Sequence, residues 1–424
     1  MPRDRTVAGI DIGSHKICTV IANLTDKKIS VIGVATIPAK GVKKGVIVDI
    51  DEAVEAISQS MDGAERMAGS SISTVFVTVG GSHISSLNSK GVVAVTHQEA
   101  EITSEDVERV TEAAQAISVP SSREIIHVVP REFIVDSQDG IRDPVGMSGI
   151  RLEVETNITI GSTTAMKNLI KCVQQVGVNP AELVYSAFAS SESVLTDTEK
   201  ELGSVLMDIG GGSTSLIIFS GGSPAYSSVL PIGGQNITND LAIGLRTSME
   251  NAEKIKLRLS EEVPYATSSL ALVASLSSED KAEPTSEIDV SGMGLEVDKL
   301  PKKLVNDIIK ARLVEIFSLV SLEIKKSGWQ GSLPAGAVLV GGGARTYGAE
   351  SAAKSVLKVP VRIGYPSGVT GLIEEIGGPD YAAVVGLLVY GSRGKEEKRF
   401  SFAPAGKISQ FFSKLGSWFK TFLP

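Results

Sequence analysis

Two aspartates in this chain are placed to do the same chemistry. Asp11 closes the apolar run Val7 to Ile10 and is followed by Gly13, Ser14, His15 and Lys16. Asp208 closes Val205 to Met207 and is followed by Gly210, Gly211, Gly212, Ser213 and Thr214. A carboxylate at a strand end can orient a cation, while glycine with a hydroxyl residue lets the backbone bend and turn bare N–H groups toward an anion. Asp-x-Gly at a strand end is also a common hairpin turn, so one copy alone decides nothing. The repetition carries more weight. Each copy is followed by a second apolar run, Ile17 to Ile21 and Ser215 to Phe219, and strand, tight turn, strand read twice implies two similar halves.

Further residues could serve the same ligand. Ala337 to Val340 is an apolar run that ends in Gly341, Gly342, Gly343 and Ala344. Glycine at this density permits close approach of a flat or charged ligand, or equally a tight strand-to-helix connection. Glu253 and Lys256 share one face of a helix expected over Ser248 to Leu259, where an ordinary solvated ion pair would have the same spacing. No GxxxxGK[ST] is present and no GxGxxG opens a helix, which excludes a P-loop and a dinucleotide fold. Cys18 and Cys172 are the two cysteines, and with His15, His83, His97 and His127 they show no metal-ligand spacing. Neither a zinc site nor a disulfide framework is expected, and a reducing cytoplasm fits.

The elements that must position these residues have room to form. The chain has 424 residues, 42% hydrophobic and 21% charged, a composition that excludes wholesale disorder. No run of about 18 apolar residues exists to span a bilayer, and the polar start from Met1 to Arg5 does not read as a secretion signal. The net charge of −8 gives no reason to expect nucleic acid as a partner. Residues 84–163 read as an insertion with its own core. It has a capped helix over Thr103 to Ile117 carrying Val107, Val110, Ala114 and Ile117, then strands over Ile125 to Val129, Phe133 to Val135 and Ile150 to Ile160. A second insertion, 235–310, holds the Glu253 helix, a loop over Ser277 to Ser286 and a long helix starting near Pro301.

Together the Asp11 and Asp208 turns, the Gly341 cluster and the Glu253/Lys256 helix resemble the actin, Hsp70 and sugar-kinase superfamily of ATP-binding folds. Within it, His127 to Asp136 with Gly140 to Leu152 is similar to the inserted subdomain of the FtsA family of bacterial cell-division proteins. The resemblance covers essentially the whole chain. It implies an α/β, actin-like, two-lobed fold of duplicated RNase H-like subdomains, with an inserted α+β subdomain and a C-terminal amphipathic helix. On that scheme subdomain 1A is 1–83 with 164–202 and 366–391, subdomain 1C is 84–163, subdomain 2A is 203–234 with 311–365, and subdomain 2B is 235–310. A linker, 392–406, and a membrane-targeting helix, 407–424, complete it.

The same resemblance implies ATP and Mg²⁺ in the cleft between the lobes. Gly13, Ser14, His15 and Lys16 would form one phosphate loop, and Gly210, Gly211, Gly212, Ser213 and Thr214 the other. Asp11 and Asp208 would hold Mg²⁺ through water, as suits a cation that keeps part of its hydration shell. Gly233 and Gly234 would face the phosphates, Glu253 and Lys256 the nucleoside edge, and Gly341, Gly342, Gly343 and Ala344 the ribose and adenine. Active ATPases of the superfamily carry Gln or Glu where attacking water is positioned. Here that stretch is Tyr185-Ser-Ala-Phe-Ala189, with Glu192 a helical turn further on. Tight ATP binding with slow or negligible hydrolysis is expected.

The end of the chain is electrostatically different, with seven basic residues against two acidic ones from Arg393 onward. Ser392 to Gly406 reads as a flexible linker. Beyond it, Ile408, Phe411, Phe412, Leu415, Trp418, Phe419, Phe422 and Leu423 fall within an arc of roughly 140° on a helical projection, with every polar residue outside it. An aromatic face opposite lysines matches an interfacial helix on anionic lipid, and the family resemblance implies the same anchor. The family further implies a self-associating adaptor at the cytoplasmic face of the inner membrane, at the septum. It would tether the tubulin-like FtsZ ring through FtsZ's C-terminal peptide at 235–310 and recruit later division proteins. The competing expectations are a phosphotransferase of the same fold with a docked C-terminal helix, which would need a carboxylate base, and an Hsp70-like chaperone, which would need a long peptide-binding region after Tyr390.

Overall fold

The computed structural model describes residues 5–25, 28–96, 101–261, 287–292, 295 and 297–393. The expected loop over 277–286, the linker from 394 and the amphipathic helix lie outside the described residues.

Two sheets repeat one plan. In the first, Arg5–Ile12 pairs antiparallel with Lys16–Thr25, which pairs antiparallel with Lys28–Pro38, while Thr74–Val79 and Asn179–Tyr185 add in parallel on the other side of Arg5–Ile12. In the second, Ser204–Ile209, Thr214–Ser220 and Ser223–Leu230 form the same antiparallel meander, and Ala337–Val340 and Val361–Ile363 add in parallel. Ile17 to Ala22 and Thr214 to Phe219 are buried at every position. Such unbroken burial is what a central strand covered on both faces requires, and it explains why these runs show no alternation of polar and apolar residues. In the first half one face packs with the helices Ile50–Ala68 and Thr163–Gln175, and the other with Ala382–Ser392.

Two helices join the halves. Ser186–Val194 leaves the first sheet and packs on strands of the second, while Ala382–Ser392 returns to the first sheet and lies against Ser186–Val194. The crossing is so close that a Cβ on Gly386 would sit 1.8 Å from the Ala189 carbonyl oxygen. Glycine is therefore required there by contact, not by backbone conformation.

The insertion has its own core of Val95, Ile102, Val107, Val110, Ala114, Phe133, Val135, Leu152 and Val154. Its helix is Ser104–Gln115, opened by a capping box in which Thr103 and Asp106 bond reciprocally. It stops before Ile117, which packs instead beside the small cluster of Val128, Ile158 and Ile160. The two strands expected around Pro130 are one, Arg123–Val135: the ladder to Arg151–Ser162 skips Arg131, and that bulge lets the strand carry a proline that cannot donate. A strand not anticipated, Ser85–Ala94, pairs along Arg151–Ser162 and meets Ser223–Leu230 at Ser85 and Ser228. The insertion thereby extends the second sheet to nine strands, although in chain order it interrupts the first half. The long helix, Lys302–Lys326, runs through position 310 without a break.

Candidate functional site

The two turns superimpose residue for residue in their bonding. Gly13 N–H donates to Lys16 O at 3.0 Å, and Gly210 N–H donates to Ser213 O at 2.9 Å. Asp11 pairs across its hairpin with Cys18 and Asp208 with Ser215, so both carboxylates occupy the same register and face one cavity between the halves. Thr78 Oγ1 donates to Asp11 Oδ1 at 2.7 Å and Ser190 Oγ to Asp208 Oδ2 at 3.0 Å. Burial raises Asp11 above its ordinary value against the opposing hydrogen bond from Thr78 and charge of Lys16. Burial and the neighbouring Asp11 push Asp208 up to about 7. Two enclosed carboxylates that resist ionising together are suited to a divalent cation, which would supply the missing positive charge.

The cavity encloses about 420 Å³ and is lined from both halves. Gly13, Ser14, His15 and Lys16 meet Gly210, Gly211, Gly212 and Ser213 across it, with Gly234, Glu253, Lys256, Gly341, Gly342 and Gly343 at its sides. The turns nearly touch: a Cβ on Gly211 would stand 2.9 Å from His15 Cβ. Gly341, at φ +82°, leaves no space for a side chain, since a Cβ would lie 2.4 Å from Asp208 Oδ1. Its role in packing is thus as strict as any role toward a ligand.

Three predicted residues stand behind the cavity wall. Thr214 is fully buried and its hydroxyl donates to Ile232 O at 2.8 Å. Gly233 is wedged under the second turn, where a Cβ would be 2.5 Å from Gly210 O, and Ala344 packs into the core of the second half. These three support the site without lining it: Thr214 opens the strand Thr214–Ser220, on which successive side chains point to opposite faces, Gly233 lies just before the helix Gly234–Leu245, and Ala344 sits in the short turn Gly342–Arg345. Arg345 and Thr346 line the cavity beyond Ala344.

Glu253 and Lys256 are not a solvated pair. Lys256 is buried and donates to Glu253 at 2.7 Å and to Thr238 Oγ1 at 3.0 Å. Burial opposes ionisation of Glu253, yet the charge of Lys256 and hydrogen bonds from Lys256 and Thr238 hold it below the ordinary carboxylate range. A buried cation with one further N–H and an ionised carboxylate at a cavity wall can read a polar ligand edge such as vicinal hydroxyls.

Tyr185 ends its strand fully buried, and Ser186 reaches the cavity, bonded to Ser215 at 3.2 Å. Tyr185 N–H donates to Nε2 of His127, a residue of the insertion, at 3.0 Å. Glu192 points elsewhere, into a buried pairing with Lys200 at 2.8 Å and with Arg393. Sequence reasoning missed Thr78, Ser190, Asp380 and Tyr381. Asp380 accepts from Lys16 Nζ at 2.6 Å, and the same nitrogen lies 3.4 Å from the centre of the Tyr381 ring. Nothing in local spacing marks these residues; Gly378-Pro-Asp380 before an apolar helix was the signal available.

A family profile described as an SHS2 domain inserted in FtsA matches residues 81–160, and one described as cell division protein FtsA matches 205–386. Among curated relatives, cell division protein FtsA of Pseudomonas aeruginosa is 37% identical over 407 residues, covering 95% of this chain and 93% of the relative. That of Bacillus subtilis is 38% identical, covering 93% and 85%, and that of Escherichia coli K12 is 32% identical, covering 98% of each. Among solved structures, the PilM-PilN type IV pilus biogenesis complex aligns with a TM-score of 0.63 at 17% identity, over 92% of this chain and 99% of that one. MreB5 of Spiroplasma citri bound to ADP aligns at 0.53 and 14% identity, over 94% and 98%. At such identities the structures speak to the fold alone, which is actin-like.

Proposed function

The chain belongs to the FtsA family of cell-division proteins, and from that premise we propose that it is an ATP-binding, self-associating adaptor that tethers the FtsZ ring to the inner membrane and recruits later division proteins. The observation that carries the nucleotide part is the doubled turn, with one carboxylate and one set of glycines from each half converging on a single cavity. Asp11 and Asp208 would orient a hydrated Mg²⁺, whose charge lets both ionise. The turn amides and Lys16 would bind phosphate, the N-terminus of Gly234–Leu245 adds a favourable dipole, and Glu253 and Lys256 would take the ribose.

Hydrolysis is proposed to be slow or absent. Tyr185 to Ala189 offers no carboxylate or amide to orient water, and Glu192 is engaged by two cations away from the cavity. For the FtsZ peptide, the mutually packed helices Gly234–Leu245 and Lys302–Lys326 present the exposed apolar side chains Ile243 and Leu304 within 235–310. The membrane part rests on the sequence of 407–424 and on its basic charge. Among the described residues no helix is long and apolar enough to cross a bilayer, so attachment is proposed to be peripheral, on the cytoplasmic face at the septum.

The test is co-sedimentation with anionic liposomes, comparing the full chain with one ending at Gly406, each with and without ATP and Mg²⁺. The full chain alone is expected to pellet, in an amount that ATP changes. If both stay soluble the anchor is wrong, and if ATP changes nothing the coupling of nucleotide to assembly is wrong.

A further inference from the structure

The phosphate-facing lysine is already engaged. Lys16 opens the strand Lys16–Thr25, and its backbone carbonyl closes the Gly13 turn, so its main chain is fixed to the anion cradle. Its side chain reaches across the cavity lining to a neighbouring turn, with Nζ 2.6 Å from Asp380 Oδ2 and over the Tyr381 ring. Both partners belong to the short turn Pro379–Tyr381, which is tied to the third glycine cluster by a 2.8 Å bond from Gly341 N–H to Pro379 O. Asp380 also faces Arg345, at 3.4 Å. A charge-assisted bond and an aromatic face together give Lys16 a defined position in which its charge is neutralised.

This inference rests on the nucleotide reading of the cleft and concerns how binding there is tuned. We infer that Asp380 and Tyr381 are a built-in competitor for the phosphates, holding Lys16 in a second position from which a polyphosphate must draw it. A ligand that binds one of two states is weakened by the fraction of molecules in the other, so the Asp380 contact lowers affinity for polyphosphates and leaves affinity for the uncharged nucleoside alone. The opposite expectation, that Asp380 positions Lys16 productively or touches the ligand itself, predicts the reverse sign.

Titration calorimetry with MgATP decides between them, on folded wild-type, Asp380→Asn, Lys16→Met and the double variant, with adenosine as the chargeless control. Asp380→Asn is expected to bind MgATP about five- to tenfold more tightly, the gain from releasing one partly buried charged hydrogen bond, with adenosine binding unchanged. Tyr381→Leu is expected to move affinity in the same direction by less. In the Lys16→Met background the Asp380→Asn gain should vanish. A gain that survives there is a general field effect and overturns the inference, as does an Asp380→Asn protein that binds MgATP equally or more weakly. A wild type that binds no ATP overturns the nucleotide reading itself, and this inference with it.

Discussion

Burial, with Asp11 beside it, pushes the Asp208 carboxyl up to about 7, so that near neutrality the aspartate pair holds on to a proton. A cation bound between the two aspartates must displace that proton. The Mg²⁺-dependent part of nucleotide affinity should therefore weaken about tenfold from pH 8 to pH 6, while the Mg²⁺-independent part, measured in EDTA, stays nearly level. Asp208→Asn is expected to abolish the Mg²⁺ dependence at both pH values. The pKa of His127 is shifted in the opposite direction. Burial lowers its pKa from 6.5 to about 3, and its Nδ1 finds no hydrogen-bond partner among the described residues, beside the ring of Phe188 at 4.9 Å. Folding then favours the neutral ring: its contribution is complete above pH 6.5 and is lost as pH falls toward 3. His127→Gln keeps an acceptor for Tyr185 N–H and cannot titrate there, so the fall in melting temperature between pH 7 and pH 5 should be smaller in the variant.

At the scale of elements, the crossing of Ser186–Val194 with Ala382–Ser392 governs how the halves meet. Each helix has one end at the cavity: Ser186 and Ser190 on the first, and the Asp380 turn just before the second. Ser193 Oγ also bonds Ala382 O at 2.8 Å, so displacement of one helix is felt by the other. Gly386→Ala would force a methyl into the Ala189 carbonyl, and we expect about 2–4 kcal/mol of destabilisation in a denaturant titration, with nucleotide affinity reduced in the same variant. The insertion's helix, Ser104–Gln115, is too short to be stable alone in water. Burial of Val107, Val110 and Ala114 in the insertion's own core holds it.

For the whole molecule, the consequence lies in the nine-stranded sheet. Chain order assigns residues 84–163 to the first half, but Ser85 pairs with Ser228, Asn157 Nδ2 bonds Ala225 O at 3.2 Å, and Arg131 stacks 5.6 Å from the Trp329 ring. The insertion is thus bonded into the second half. A disulfide introduced as Ser85→Cys with Ser228→Cys, at paired positions whose spacing suits such a bond, should form and leave MgATP affinity unchanged, because both strands belong to one sheet. Loss of affinity on oxidation, restored by reductant, would mean that the insertion has to move against the second half when the cleft binds its ligand.

Much of the fold and part of the candidate site are legible in the sequence by itself. The Asp11 and Asp208 turns are local objects: a strand end, a glycine and a bond between residues three apart are written in a few consecutive positions, and their repetition revealed the duplication. The same locality made the Thr103 cap and the Glu253/Lys256 face readable. What sequence alone left undecided depends on distance in space between residues far apart in the chain. Thr78 on Asp11, Ser190 on Asp208, Asp380 on Lys16 and the union of Ser85 with Ser228 all follow from how the strands are ordered, and no local pattern encodes that order. The same holds for Thr214, Gly233 and Ala344, whose neighbours line the cavity while they do not. A turn is fixed by its own backbone, whereas the face a residue presents, and the depth at which a carboxylate is held, are set by everything that packs around it.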